Sequence, residues 1–463
     1  MKEKKIFDAV TDVRDELIEE AKITMYKKKK PMWVIWVAIA ACAAIVMGIG
    51  LLIPGTGNNN PNSGMLLEVM YPKAYAFEDS DTKRAIREQN PVDENFINSI
   101  KEFSYKTGSA ILSDNGKNKN YSPLSLFYAL GLATSGAKGD TQAELLDFLG
   151  VPDIETLTLQ SRNLYRTLYR DNEIGKLKIA NSIWMENELN GKPIVFKEDF
   201  VKQAVENFYA SSHSVDFAKE ETGKAMAKWI QNQTNGTLSP TIEVDPEQIL
   251  TIINTVYFYD QWVDRFDKQK TAQSIFYLAN GDKEKADFMN QTFSSAGFSR
   301  GEGFTRAGLQ LKNASQMIFI LPDAGVSPYD LLSSSEQMKE IFEGGERLNG
   351  EVVWKIPKFN FGSEFSLKDT LGSLGIVSAF RPDADFTGIT DHTAFISNVR
   401  QETHIAIDEI GVEASAFTRI EYAGAALPNG RADMILNRPF IYGITAQNGT
   451  LLFVGVCENP AKN

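Results

Sequence analysis

The longest apolar run in the chain covers residues 32–53 and contains no charged residue. A helix over this run would be about 33 Å long, which is enough to cross the hydrocarbon core of a bilayer. Lys27 to Lys30 precede the run, whereas Glu68 is the first charged residue after it. Because positive charge collects on the cytoplasmic side of a span, the pattern predicts one transmembrane helix with residues 1–31 in the cytoplasm.

Two other interpretations of this run stay open. Residues 39–42 (Ile-Ala-Ala-Cys) resemble the lipid-attachment motif of bacterial lipoproteins, which would place a lipid on Cys42, although a long apolar stretch would then follow it. A cleaved signal peptide is the second, although the run is longer than the usual apolar region. We favour an uncleaved anchor in the cell membrane. The predicted segments are a cytoplasmic amphipathic piece (1–31), the span (32–53), an extracellular linker (54–90) and one large domain (91–463).

The hydrophobic pattern of the large domain changes once along the chain. Helical periodicity dominates its first part, over residues 93–113, 123–150, 158–170, 197–210 and 219–233. Strand-like runs dominate the rest, over residues 250–259, 317–321, 352–357, 404–409, 435–444 and 450–456. This order predicts an α+β fold with antiparallel sheets, formed by a single domain of roughly 370 residues.

The composition argues against nucleic-acid binding and against a zinc site. A net charge of −12 argues against nucleic acid as a partner, because phosphate binding needs a cationic surface. The two cysteines and three histidines (His213, His392 and His404) do not have the spacing of a zinc motif. We therefore expect no metal, no cofactor and no catalytic residue in this chain.

Two short patterns suggest other functions. Ser135 and Lys138 reproduce the Ser-x-x-Lys motif of penicillin-recognising transpeptidases, and residues 106–108 reproduce their Lys-Thr-Gly, but the order along the chain is reversed. A basic stripe also lies on one face of a predicted helix, with a solvated face as our interpretation and a polyanion site as the alternative. Its members are Arg162, Arg166 and Arg170.

A long connection between two predicted strands has an unusual pattern. Residues 401–410 and 435–444 read as strands, and roughly 23 residues separate them after Gly411. From Val412 to Tyr422, small or apolar residues alternate with mostly polar ones, as in a half-buried strand. The segment therefore has the length of an exposed loop and the pattern of a strand within a sheet.

Together with this loop, other segments of the domain resemble the serpins. Seven blocks carry the resemblance in the family's order, at residues 121–150, 229–238, 254–266, 356–361, 374–380, 408–417 and 437–444. The resemblance implies a fold of three β-sheets and roughly nine helices with an exposed reactive-centre loop. It also implies a monomeric suicide inhibitor that forms a covalent acyl complex with a target serine or cysteine protease. The cleaved loop then inserts into the main sheet as a new strand.

The resemblance also assigns roles within the loop. The implied hinge residues are Glu409, Gly411, Val412, Glu413, Ala414, Ser415 and Ala416. Val412 replaces the usual Thr or Ser, but it is uncharged and favours strands, so we expect insertion to be retained. The family's loop length places the scissile bond at Ala425–Ala426, within one or two residues. A small residue there suits an elastase- or subtilisin-like protease.

Other matching positions surround the main sheet. Ser122, Ser125 and Asn254 match the shutter, where the sheet opens, and Gln401 stands where the family has a histidine. An amide keeps hydrogen bonding but cannot become charged at mild pH. Trp262 matches the tryptophan of the breach, where insertion begins. A non-inhibitory serpin that acts as a surface binding or scaffold protein is the alternative function, and a transpeptidase is a remote one.

Overall fold

The computed structural model describes residues 64–114, 116–412 and 430–462. The predicted segments 1–31 and 32–53, including Cys42, lie outside this range, as do loop residues 413–429. Within the described residues, no helix is both long enough and apolar enough to cross a membrane.

The described residues form ten α-helices and two 3-10 turns. The helices are α1 (Ser80–Gln89), α2 (Glu94–Ile111), α3 (Pro123–Gly136), α4 (Gly139–Leu149), α5 (Ile154–Leu168), α6 (Glu198–Phe208), α7 (Glu220–Gln233), α8 (Pro328–Leu331), α9 (Ser335–Glu343) and α10 (Lys368–Ser373). The 3-10 turns are Lys268–Lys270 and Ser378–Phe380.

The same residues contain eighteen strands. They are β1 (Lys119–Tyr121), β2 (Arg170–Asp171), β3 (Lys176–Glu186), β4 (Glu188–Leu189), β5 (Lys192–Pro193), β6 (Ala210–Val215), β7 (Leu250–Gln261), β8 (Ala272–Tyr277), β9 (Lys283–Gly301), β10 (Phe304–Gln310), β11 (Gln316–Pro322), β12 (Glu346–Pro357), β13 (Phe359–Ser366), β14 (Ile396–Ile407), β15 (Gly411–Val412), β16 (Gly430–Ile435), β17 (Phe440–Thr445) and β18 (Leu451–Cys457).

These strands make three sheets, as expected. The main sheet has the order β13-β14-β15-β7-β3-β2, with β6 paired to β3. A nine-stranded sheet has the order β1-β18-β17-β11-β10-β9-β12-β16, with β8 paired to β9, and β4 and β5 form a small hairpin sheet. Most pairings are antiparallel, but β14 pairs with β7 in parallel.

Helix α3 is the centre of the hydrophobic core. Pro123 occupies its first turn, where a missing N–H is tolerated, and every one of its residues is buried. It contacts β7 and β3 of the main sheet and β18 of the nine-stranded sheet. A helix that is apolar on all sides suits this position, because it has no solvent-facing side.

Several predicted boundaries were wrong. The pattern at 123–150 is two helices, because the chain turns at Ala137 in extended conformation before α4 begins. The run at 435–444 spans the end of β16 and most of β17. The predicted linker 54–90 contains α1, and Leu66 N–H donates to Ser212 O on strand β6 at 2.9 Å. The folded unit therefore starts well before residue 91.

Candidate functional site

Strands β7 and β14 form a fork within the main sheet. They pair in parallel from Leu250 and Ile396 up to Thr255 and Glu402, and then the direct pairing ends. Beyond this point β15 lies between them, with Val412 opposite both Ile407 and Asp260. The first residues of the long connection therefore already occupy the open end of the fork.

A tight turn places β15 in the fork. The Asp408 carboxylate accepts the N–H groups of Ile410 and Gly411 at 2.8 and 3.2 Å, and Asp408 N–H donates to Gly411 O at 3.0 Å. A Cβ atom on Gly411 would lie 2.2 Å from Asp260 O. This predicted hinge residue must therefore be glycine because the backbone of β7 approaches too closely for a side chain.

Glu409 anchors the turn. Its carboxylate is buried, lies 3.1 Å from Lys358 Nζ and accepts a hydrogen bond from Thr271 Oγ1 at 2.8 Å. Burial by itself raises the pKa of Glu409, but its own backbone N–H, Thr271 and Lys358 together hold that pKa below its usual value. The hinge therefore begins at an ionised, paired side chain.

Trp262 contacts the same turn, as its predicted position implies. Its indole N–H donates to Asp408 O at 2.8 Å, and its backbone N–H donates to Ile410 O at 3.0 Å. The side chain is 1% exposed. The remaining predicted loop residues, Glu413 to Ala416 and the Ala425–Ala426 bond, lie outside the described residues.

The predicted shutter residues meet below the fork. Gln401 Nε2 donates to Ser122 O at 2.9 Å and to Asn254 Oδ1 at 3.0 Å, and its Oε1 accepts Ser122 N–H at 3.0 Å. Ser125 Oγ donates to Asn254 Oδ1 at 2.5 Å. Because Gln401 is on β14 and Asn254 is on β7, these side chains link the two strands that insertion would separate.

Sequence reasoning missed one member of this network. Asn181, on β3, accepts a hydrogen bond from Asn254 Nδ2 at 2.6 Å and is 1% exposed. It lies outside the seven blocks that carried the resemblance. The available signal was a polar residue within the strand-like, mostly apolar run at 176–186.

The other candidate residues do not form a catalytic site. Residues 106–108 lie inside helix α2 rather than on a strand that lines a pocket. Ser135 Oγ is 2.7 Å from Leu132 O, at the buried end of α3. The transpeptidase reading therefore has no support in the geometry. His404 is half-buried on β14, where Nε2 lies 2.7 Å from Asn360 Oδ1, and burial lowers its pKa.

The basic stripe is not a solvated face of one helix, contrary to our interpretation: α5 ends at Leu168, and Arg170 lies on β2. Arg166 Nε donates to Tyr209 OH at 2.8 Å. Arg170 Nη1 donates to the carbonyl oxygens of Thr167 and Tyr169 at 2.8 and 2.7 Å. These guanidinium groups fold back onto the protein.

Comparison with known proteins agrees with this architecture. The sequence profile described as Serpin (serine protease inhibitor) matches residues 98–460, so the chain belongs to the serpin family. Serpin B11 of Mus musculus is 27% identical over 380 residues, which cover 78% of this chain and 98% of that protein. Members of this family are generally inhibitors of serine proteases.

Solved structures show the same fold. The thermophilic serpin tengpin in its native state matches with a TM-score of 0.71 at 26% identity, covering 85% of this chain and 97% of tengpin. Human thyroxine-binding globulin complexed with thyroxine matches with a TM-score of 0.67 at 22% identity, covering 81% of this chain and all of that one. The second likeness concerns the fold alone.

Replacing the shutter amide tests its contribution to stability. In Gln401→Leu, Ser122 N–H loses its partner in the interior and Ser122 C=O keeps only Leu126 N–H, so we expect the free energy of unfolding to fall by about 2 kcal/mol. Urea denaturation followed by circular dichroism measures the change. Gln273→Leu, at an exposed position of β8, is the matched control; an equal loss in both variants would contradict the assignment.

Glu402 makes stability depend on pH. Burial raises its pKa to about 7 despite Arg400 at 2.7 Å, so the folded state holds this proton more tightly than the unfolded chain does. The folded state is therefore favoured while Glu402 is protonated. This contribution to the free energy of unfolding is complete below the unfolded pKa of about 4.3 and is lost as pH rises through about 7. We expect Glu402→Gln to flatten the stability profile in this window by about 2 kcal/mol in urea titrations. Exposed Glu247→Gln should leave the slope unchanged.

Proposed function

We propose that this chain is a suicide inhibitor of serine proteases that acts by inserting its cleaved loop into the main sheet. The observation that carries the proposal is the fork, in which β15 lies between β7 and β14 at the start of the loop. Membership of the serpin family supports it, because serpins generally inhibit serine proteases. Cysteine proteases are the second target class.

The register of β15 supports full insertion. Val412 faces Ile407 and Asp260, and these two residues have the same offset along their strands as Glu402 and Thr255, which pair directly. A loop that extended β15 would therefore fit between β7 and β14 without any sliding of one strand along the other. Only the parallel pairing below the fork would have to separate.

The same register determines what each loop residue would meet. Ala414 would lie between Ile405 and Phe258, and Ala416 between Thr403 and Val256. These strand positions are buried, so small side chains on this face of the loop match the available space. Their burial and the new backbone hydrogen bonds would drive insertion.

Insertion would also replace the shutter contact that it breaks. Continued further, the register puts Thr418 between Gln401 and Asn254. A hydroxyl group donates and accepts, so it can bond to both amides after they separate. The loop thus carries a polar residue where the closed sheet has its inter-strand amide pair.

The covalent step takes place at Ala425. The target's serine Oγ attacks the Ala425 carbonyl carbon, the peptide bond to Ala426 breaks, and the new amine leaves with a proton. An ester then joins the protease to Ala425 while the loop inserts. The small side chain suits an elastase- or subtilisin-like specificity pocket.

Trapping can be tested on the full chain purified in mild detergent. We expect a complex with elastase- or subtilisin-like proteases that survives boiling and runs at the summed mass on a denaturing gel. Ala416→Glu should abolish it, because the charge would be buried between Thr403 and Val256. Ser415→Glu is the control: its side chain would point outward, beside Tyr257 and His404, and trapping should persist. Loss of the complex in both variants would argue against insertion in this register.

A non-inhibitory serpin is the alternative, and the likeness to thyroxine-binding globulin is no more than a shared fold. The melting temperature of the loop-cleaved protein distinguishes an inhibitory serpin from a non-inhibitory one. A large gain in thermal stability after cleavage means that the loop inserts. A cleaved chain that melts at the temperature of the intact one acts as a surface binding or scaffold protein.

We also propose that residues 32–53 anchor the protein in the cell membrane, with residues 1–31 in the cytoplasm and the serpin domain outside the cell as a monomer. The charge-free run and Lys27 to Lys30 before it support this topology. The loop would then guard the cell envelope against proteases.

The anchor and the lipoprotein predict different responses to one substitution. With a spanning helix, Cys42→Ser should leave the protein in the membrane fraction after an alkaline carbonate wash, because about 30 Å of apolar helix holds it there. If Cys42 carries the lipid, the same substitution should release the protein or block its processing. External protease added to intact cells should remove the domain in the proposed topology, and resistance of the domain to that protease would contradict it.

A further inference from the structure

A cleft lies where the last part of β7 meets the end of α5 and the turn at 313–315. Its main cavity has a volume of about 270 Å³. A second cavity of about 190 Å³ shares five lining residues with it, among them Arg87, Arg170 and Asn313. Together they form one cleft between α1 and the main sheet.

Positive side chains dominate this cleft. Its basic lining residues include Lys83, Arg87, Arg170 and Lys312. None of the ion pairs among residues 64–114, 116–412 and 430–462 involves Lys83, Arg87 or Arg170. Arg170 instead donates to the backbone carbonyls of Thr167 and Tyr169, and Tyr75 and Asp260 stabilise its charge without forming an ion pair with it.

The charges of the cleft act on one another. Burial lowers the pKa of Lys83, and the charges of Arg170 and Arg87 lower it further, although Glu78 and Glu173 oppose this. Burial likewise lowers the pKa of Arg170, and Arg87 adds to that effect, whereas Tyr75 and Asp260 act in the opposite direction. Half-buried Lys83 and Arg170 and exposed Arg87 repel one another in this way, and a bound anion would reduce that repulsion.

Asp260 is the acidic residue in the lining of the main cavity. It is buried on β7, where Asn313 Nδ2 and Gln261 N–H donate to Oδ1 at 3.1 and 2.9 Å. Burial raises its pKa to about 7, while its hydrogen bonds and Arg170 act in the opposite direction. Near neutral pH this carboxyl is therefore only partly ionised and neutralises the cations around it only in part.

We infer that the cleft binds a small oxyanion with two or more negative charges, of the phosphate or polycarboxylate type, between Arg87 and Arg170. The half-enclosed volume favours a compact anion over a polymer. Guanidinium groups recognise such oxyanions through charge-assisted hydrogen bonds. The inference does not depend on protease inhibition.

Calorimetric titration of the full chain with inorganic pyrophosphate tests the site. We expect one anion per chain, with binding weakened about tenfold in Arg170→Gln. Arg87→Gln, at an exposed position that does not endanger folding, should weaken it several-fold. Arg381→Gln removes the same charge from an exposed pair with Asp383 outside the cleft and should have no effect.

The acid in the lining gives a second readout. Sulfate, whose charge is constant between about pH 6 and about pH 8, should bind more weakly at the higher pH, because ionised Asp260 repels it. Asp260→Asn should remove this pH dependence while retaining binding. No saturable binding of pyrophosphate, or equal weakening in Arg381→Gln and Arg170→Gln, would overturn the inference.

Discussion

The hydrogen bond between Gln401 and Asn254 is the constraint on which the state of the main sheet depends. It joins β14 to β7 at the level where their parallel pairing is closed, and Ser122 and Ser125 at the start of α3 hold both amides in place. A buried amide that loses its partner is costly, so this contact stabilises the closed sheet in addition to the six paired positions of β7 and β14.

At the open end of the fork, other interactions hold β15 between β7 and β14. Glu409 is paired with Lys358, and the indole N–H of Trp262 donates to Asp408 O in the turn. Gly411, which has no side chain, lets the backbone approach β7 closely. The ion pair and the turn fix where the loop begins, so β15 has a defined register between β7 and β14. The amide contacts close one end of the fork, and β15 occupies the other, which is the geometry on which the proposed insertion depends.

Much of this site could be predicted from local sequence, and some of it could not. Gly411 and Trp262 lie in blocks that resemble the serpins, whereas Gln401 lies outside those blocks, at the position where the family has a histidine. The structure puts each of the three at the fork or below it. Asn181 was missed because its strand carries no such block. The basic stripe was misjudged for two reasons. Helix α5 ends at Leu168, before Arg170, and helical periodicity does not show what covers the face that carries Arg166.

What the sequence determined by itself is local: the apolar run at 32–53, the alternation from Val412 to Tyr422, and the small residues on one face of that pattern. The tertiary structure alone decided that β7 and β14 pair in parallel, that they separate after Thr255, and that burial raises the pKa of Asp260 and Glu402. The physical reason is the distance along the chain over which the interactions act. Side-chain periodicity depends on neighbouring residues, whereas strand order and desolvation depend on segments that lie more than a hundred residues apart in the chain.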